Sequence, residues 1–73
     1  MATPTFAVGT NVIYRHEGVD KLAHVTEVDP ATGEVIGISV VCPKGTIELG
    51  VSKPKLATTA QHQITDGYFR ARV

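Results

Sequence analysis

The sequence predicts a small all-β domain, and three observations carry that prediction. Apolar residues alternate with polar or small ones over short runs and do not recur at the three- to four-residue spacing of an amphipathic helix. Turn sequences bearing Pro and Gly fall between those runs at the intervals of an antiparallel sheet. The chain has 73 residues, 42% of them hydrophobic, which is enough for one continuous core and no second domain.

Taken in order, Val12 and Tyr14 share one side of a first strand entered through Val8, Gly9 and Thr10. In a second, Ala23 and Val25 alternate with His24 and Thr26 and the run continues to Val28. A third, over 35–41, sets Ile36, Ile38 and Val40 on one face and the smaller Gly37 and Ser39 on the other, so its centre reads as covered on both sides. A fourth, over 46–51, turns Ile47, Leu49 and Val51 inward and Glu48 and Gly50 outward. A last one, over 68–73, opposes Phe69, Ala71 and Val73 to Arg70 and Arg72.

The connections are read from turn chemistry. Asp29-Pro30-Ala31-Thr32-Gly33 places Pro where φ near −65° is wanted and Gly where φ must be positive, which predicts a hairpin between the second and third strands. Cys42-Pro43-Lys44-Gly45 repeats that chemistry and predicts a return into the fourth strand, making a meander. Residues 16–21 read as a polar loop over one end of the sheet, a place where function is often carried. Pro54 bars a regular central strand, and 52–66 is read as irregular. Residues 1–5 form an N-terminal tail and 6–73 the single domain. Five short strands with a central meander and an irregular C-terminal segment fit an SH3-like barrel better than a sandwich.

Charge and cysteine usage bound the function. Seven basic and seven acidic side chains cancel, so nucleic acid is disfavoured as an obligate partner, since phosphate neutralisation needs clustered Lys and Arg. Cys42 is the single cysteine; it offers no intramolecular disulfide and no Cys-x-x-Cys metal or redox spacing. At the end of an apolar strand it reads as a small buried hydrophobe rather than a nucleophile. The start of the chain lacks a basic, then apolar, secretory pattern, and no 18 apolar residues run together. A reducing cytoplasm is the expected location, with no membrane association.

Site chemistry is sparse. His16, His24 and His62 lack the short paired spacing of zinc ligands and are expected at the surface or facing a partner. The glycines form neither a Gly-x-Gly-x-x-Gly nor a Gly-x-x-x-x-Gly-Lys phosphate cradle. Arg70 and Arg72 point the same way from the last strand, and Lys53 and Lys55 flank Pro54. They read either as a basic strip or as charges guarding an edge strand against edge-to-edge pairing. No catalytic, metal or cofactor residues are expected. The candidate partner-binding residues are His16, Glu17, Asp20, Lys53, Lys55, Tyr68, Arg70 and Arg72.

The run Phe6 to Tyr14, with its aromatic-x-Val-Gly-polar-x-Val pattern, resembles the first strand of many SH3-like barrels. Together with Ala23-His24-Val25-Thr26-Glu27-Val28-Asp29 and Ile38-Ser39-Val40-Val41-Cys42-Pro43-Lys44-Gly45, it resembles small, mostly uncharacterised proteins of tailed bacteriophages, particularly those of actinobacteria. The resemblance spans about residues 6–51. Those proteins often end in a Trp-containing segment, whereas this chain has no Trp, so no role of that segment carries over. Phage origin and fold are implied, without catalytic residues. The type II dihydrofolate reductase is an SH3-like barrel of similar size, but its Val-Gln-Ile-Tyr stretch is replaced here by Thr46-Ile47-Glu48-Leu49.

The expected function is therefore a non-enzymatic, phage-encoded protein-binding module. Its first destination is the virion, as a capsid-decorating or head-associated subunit. The alternatives are a host-modulating or anti-defence protein that binds a host factor, and a small nucleic-acid-binding barrel. A homo-oligomer built on the last strand is compatible with the sequence.

Overall fold

A computed structural model describes residues 6–41 and 48–72. Their elements are β1 (Asn11–His16), β2 (Val19–Val28), β3 (Val35–Val41), β4 (Glu48–Ser52), β5 (Lys55–Leu56), α1 (Thr59–Ile64) and β6 (Tyr68–Ala71). The strands form one mixed sheet in the order β4-β3-β2-β1-β6-β5, curled into a half-barrel. The structure is thus mostly β, with six strands among the described residues in place of the five expected.

The first four strands run as an antiparallel meander. Between β1 and β2 the chain reverses in two residues, Glu17 and Gly18, with φ of 52° and 76° and His16 paired with Val19. Two positive φ values in succession are the geometry of the type I′ hairpin, whose twist matches that of the flanking strands. The polar loop expected over 16–21 is accordingly a tight turn, and Val19 to Lys21 belong to β2. The β2–β3 hairpin is where its turn residues put it. The Asp29 Oδ1 accepts from the Ala31 N–H at 2.8 Å, and the Gly33 N–H donates to the Asp29 carbonyl at 2.7 Å with Gly33 at φ 74°.

The core consists of Val12, Tyr14, Ala23, Val25, Val35, Ile38, Val40 and Phe69, with Phe6, Val28, Leu49, Val51 and Leu56 packed half-buried against it. Val12 and Tyr14, and Ala23 and Val25, share the inner face as their alternation predicts. On β3 the alternation breaks. Register shifts between Val25 and Glu27 and between Glu27 and Val28 pair Val28 with Val35, so Val35 is buried beside Ile38 and Val40 while Ile36 is only half-buried. A bulge inserts an unpaired residue and so reverses which side of the strand faces inward. Gly37 and Ser39 are buried as well, so the centre of β3 is covered on both faces.

Residues 52–66, read as irregular, contain β5 and α1. Pro54 sits at the corner between β4 and β5, outside the centre of the sheet. The Thr58 hydroxyl caps α1 by accepting from the Gln61 N–H at 3.3 Å. β6 then enters between β1, to which it is antiparallel, and β5, to which it is parallel. The last strand is therefore an interior strand, and Arg70 does not guard a sheet edge; the edges are β4 and β5. On β6, Phe69 is buried but Ala71 is exposed. The expected turn at Cys42 to Gly45, Thr46 and Ile47 at the start of the fourth strand, and Val73 lie outside the described residues.

Candidate functional site

Two regions gather the functional side chains. The first is a charged cluster where the β1–β2 hairpin, β6 and α1 meet. Arg15 and Asp20 face each other across the hairpin, and Ile13 faces Arg70 across β1 and β6. This places Arg15, Asp20 and Arg70 on the face opposite the core residues Val12, Tyr14 and Phe69. The Arg15 Nη1 donates to the Asp20 Oδ1 at 3.3 Å, and the Arg70 Nη2 lies 3.7 Å from the Asp20 Oδ2. Asp66, from the turn before β6, sits 3.7 Å from the Arg15 Nε and accepts from the Gly18 N–H at 2.8 Å. The Gly67 N–H donates to the Arg15 carbonyl at 3.0 Å, so the turn between α1 and β6 is tied to the hairpin by main chain and side chain together.

His62 completes this cluster from α1. It is fully buried, with its Nδ1 3.4 Å from the Asp20 Oδ1, and neither ring nitrogen has a hydrogen bond among the described residues. Burial pushes its pKa below the ordinary value; the Asp20 carboxylate opposes that shift, while Arg70 and Arg15 add to it. The expectation of a surface or partner-facing His62 is thus overturned. Thr58 starts α1 so that the residue four positions on is carried beneath the helix, against β6 and β1. The Arg70 Nε is likewise buried with no hydrogen-bond partner among the described residues. On the inner face, Tyr14 stacks on His16 at 6.2 Å. Its phenol pKa is raised first by burial and then by the Asp66 carboxylate.

The second region is a cleft of about 640 Å³ beside the β4–β5 corner. Phe6, Val35, Ile36, Leu56 and Phe69 provide its apolar lining, with Phe6 set edge-on to Phe69 at 5.5 Å. Asp29 and Glu34 reach it from the β2–β3 hairpin, and Lys53 and Lys55 from the corner at Pro54. None of these four charges joins an ion pair among the described residues. Lys55 also lies over the Tyr68 ring, 5.8 Å from its centroid.

The eight residues expected to bind a partner therefore divide. Asp20 and Arg70 fall in the charged cluster, with His16 and Glu17 at its hairpin, 3.8 Å apart. Lys53 and Lys55 line the cleft, with Tyr68 beneath Lys55. Arg72 follows β6, exposed and apart from both. Sequence reasoning missed Arg15, His62 and Asp66 in the cluster and Asp29, Glu34, Phe6 and Phe69 in the cleft. The Asp66-Gly67 turn pair was a usable signal for the first group. For the cleft there was none, because it is assembled from four separate parts of the chain.

Among the described residues no three His, Cys, Asp or Glu side chains stand close enough to hold a metal ion, and no helix is long and apolar enough to cross a membrane. Comparison with known proteins finds no matching family model, no matching curated protein and no matching solved structure.

Proposed function

We propose that the chain is a non-enzymatic protein-binding module, a variant of the SH3-like barrel, which takes an extended segment of another protein in the cleft beside the β4–β5 corner. The observation that carries this reading is the cleft itself: an apolar lining that remains open, bordered by Asp29, Glu34, Lys53 and Lys55 with no ion-pair partners among the described residues. Apolar clefts with a few convergent polar groups are the usual form of a binding site. The charged cluster supports the same division of labour, because Arg15 and Arg70 are already opposed by Asp20 and Asp66. That neutralisation weighs against a nucleic-acid backbone as ligand. Phage origin, with the virion as first destination and a host cytoplasmic factor as second, rests on the resemblance over residues 6–51.

The test is affinity capture from phage-infected cells with the tagged native chain and two variants. The double charge reversal Lys53→Glu with Lys55→Glu should reduce recovery of the partner about tenfold or more, whereas Arg72→Glu should leave it unchanged. Equal recovery by the native chain and the double variant would remove the cleft from the account. Mass spectrometry of purified particles then separates the destinations, since a virion subunit is present there in many copies and a host-directed protein is not.

A further inference from the structure

The two edges of the sheet are built differently. β5 is two residues long, follows Lys53 and Pro54 and begins with Lys55, and shortness, Pro and Lys are the devices by which proteins block edge pairing. β4 itself, Glu48–Ser52, contains neither Pro nor Lys, Lys53 and Pro54 coming only after its last residue, and its pairing with β3 runs through all five residues without a register shift. Among the described residues β4 pairs with β3 alone.

The ladder parity shows which of its backbone groups are free. The Lys53 N–H donates to the Ile36 carbonyl at 2.8 Å, and in an antiparallel ladder alternate residues bond to the same neighbour. Val51 and Leu49 therefore bond inward to β3, while the backbone groups of Ser52, Gly50 and Glu48 face away from the sheet. Leu49 and Val51 also direct their side chains to the core and remain half-buried there, and among the described residues no strand lies beyond them.

We propose that β4 pairs with β4 of a second copy of this chain, antiparallel and centred on Gly50, joining two half-barrels into one continuous sheet. The occupant follows from self-complementarity about that point. A two-fold axis at Gly50 sets its outward N–H and carbonyl against those of Gly50 in the second copy, and sets Glu48 against Ser52. Leu49 then stands opposite Val51 of the second copy as a non-hydrogen-bonded pair, the closer of the two cross-strand spacings. Both members of that pair lie on the core face, so each half-barrel extends the other's apolar interior. An added Cβ at Gly50 would meet nothing within 4 Å, which leaves the axis position open. Such an interface is isologous and closes at two subunits. It engages a five-residue strand, against the roughly 20–30 residues a side of a standard interface, so the dimer belongs to the weak, concentration-dependent class. This inference is independent of the cleft and its ligand.

Sedimentation of the full chain from about 10 μM to about 1 mM, a range suited to weak dissociation constants, should show the mass rising from 7.8 kDa towards twice that value. Gly50→Pro should weaken the association at least about tenfold, because it removes an outward donor without removing a bond to β3. In the native chain, exchange of the Gly50 amide hydrogen should slow as concentration rises, while the Leu49 and Val51 amides, already bonded to β3, should not change. That second readout decides the question if Gly50→Pro does not fold. A chain that stays monomeric at the highest concentration, a dimer unaffected by Gly50→Pro, or Gly50 exchange independent of concentration would each overturn the pairing.

Discussion

The imidazole of His62 is one side chain through which burial makes the stability of the protein depend on pH. Its pKa in the folded chain lies below 6.5, first through burial and then through Arg70 and Arg15, against the pull of Asp20. The unfolded chain takes up a proton near 6.5 while the folded chain resists it, so this contribution is intact above that pH and is lost progressively as pH falls below it. Tyr14 gives the mirror image. With its pKa raised above 10.0, the unfolded chain releases a proton that the folded chain keeps, and stability falls as pH rises past that value. Urea unfolding of the native chain should accordingly show a lower midpoint at pH 5.5 than at pH 7.5, with the flanks set about one unit either side of the ordinary His value. His62→Leu should flatten that difference, and a native chain with equal midpoints at the two values would contradict the buried, neutral imidazole.

Among the elements, the β1–β2 hairpin shows most directly how local chemistry and tertiary demand trade against each other. Its turn needs positive φ at both positions, and Gly18 meets that without steric cost, whereas Glu17 is held at φ 52° with a Cβ in the left-handed region. A residue other than Gly, Asn or Asp there costs roughly 1–2 kcal/mol. Glu17→Asn should therefore stabilise the domain by about 0.5–1 kcal/mol in denaturant titration, since Asn-Gly is the preferred type I′ pair. The substitution gives up the 3.8 Å approach of the exposed Glu17 carboxylate to His16, a surface contact of little worth. A loss of stability instead would mean that the hairpin reverses through another geometry. The same hairpin presents the Gly18 N–H to Asp66, so its shape also determines how the segment after α1 docks.

At the scale of the molecule, the decisive fact is that β6 lies inside the sheet. It carries Phe69 into the core, pairs with β1 on one side and supports β5 on the other. A chain ending before Tyr68 loses an interior strand, both ladders it forms and a fully buried aromatic side chain, whose removal alone costs about 3–5 kcal/mol. Since small domains are stable by only about 5–15 kcal/mol in all, this truncated chain should be unfolded by circular dichroism and by amide dispersion in NMR spectra. Survival of a dispersed spectrum would show that the β1–β4 meander folds unaided. The half-barrel also leaves one corner open, and the cleft lies there because Lys53, Pro54, Lys55 and Leu56 turn away from β4 before they can close it.

The class of fold, the meander and most of the core were legible in the residues alone, because burial on one face imposes period two on Val12 and Tyr14, on Ala23 and Val25, and on Ile38 and Val40, and because Asp29 to Gly33 encode their turn locally. The parity at Val35 and Ile36 was not legible, since a bulge depends on the neighbouring strand. Nor was β5, two residues long, or the position of β6, which its alternation fits equally well as an edge or an interior strand. Of the site, Asp20, Arg70, Lys53 and Lys55 could be singled out as charges, but their grouping could not. Pairings between residues nearly fifty positions apart, such as Gly18 with Asp66, leave no periodicity in the chain. Burial of His62 is of the same kind: the local sequence of 52–66 reads as irregular, and only the packing of α1 on β6 and β1 decided that an imidazole would lie beneath a short helix there, because burial is a property of neighbours.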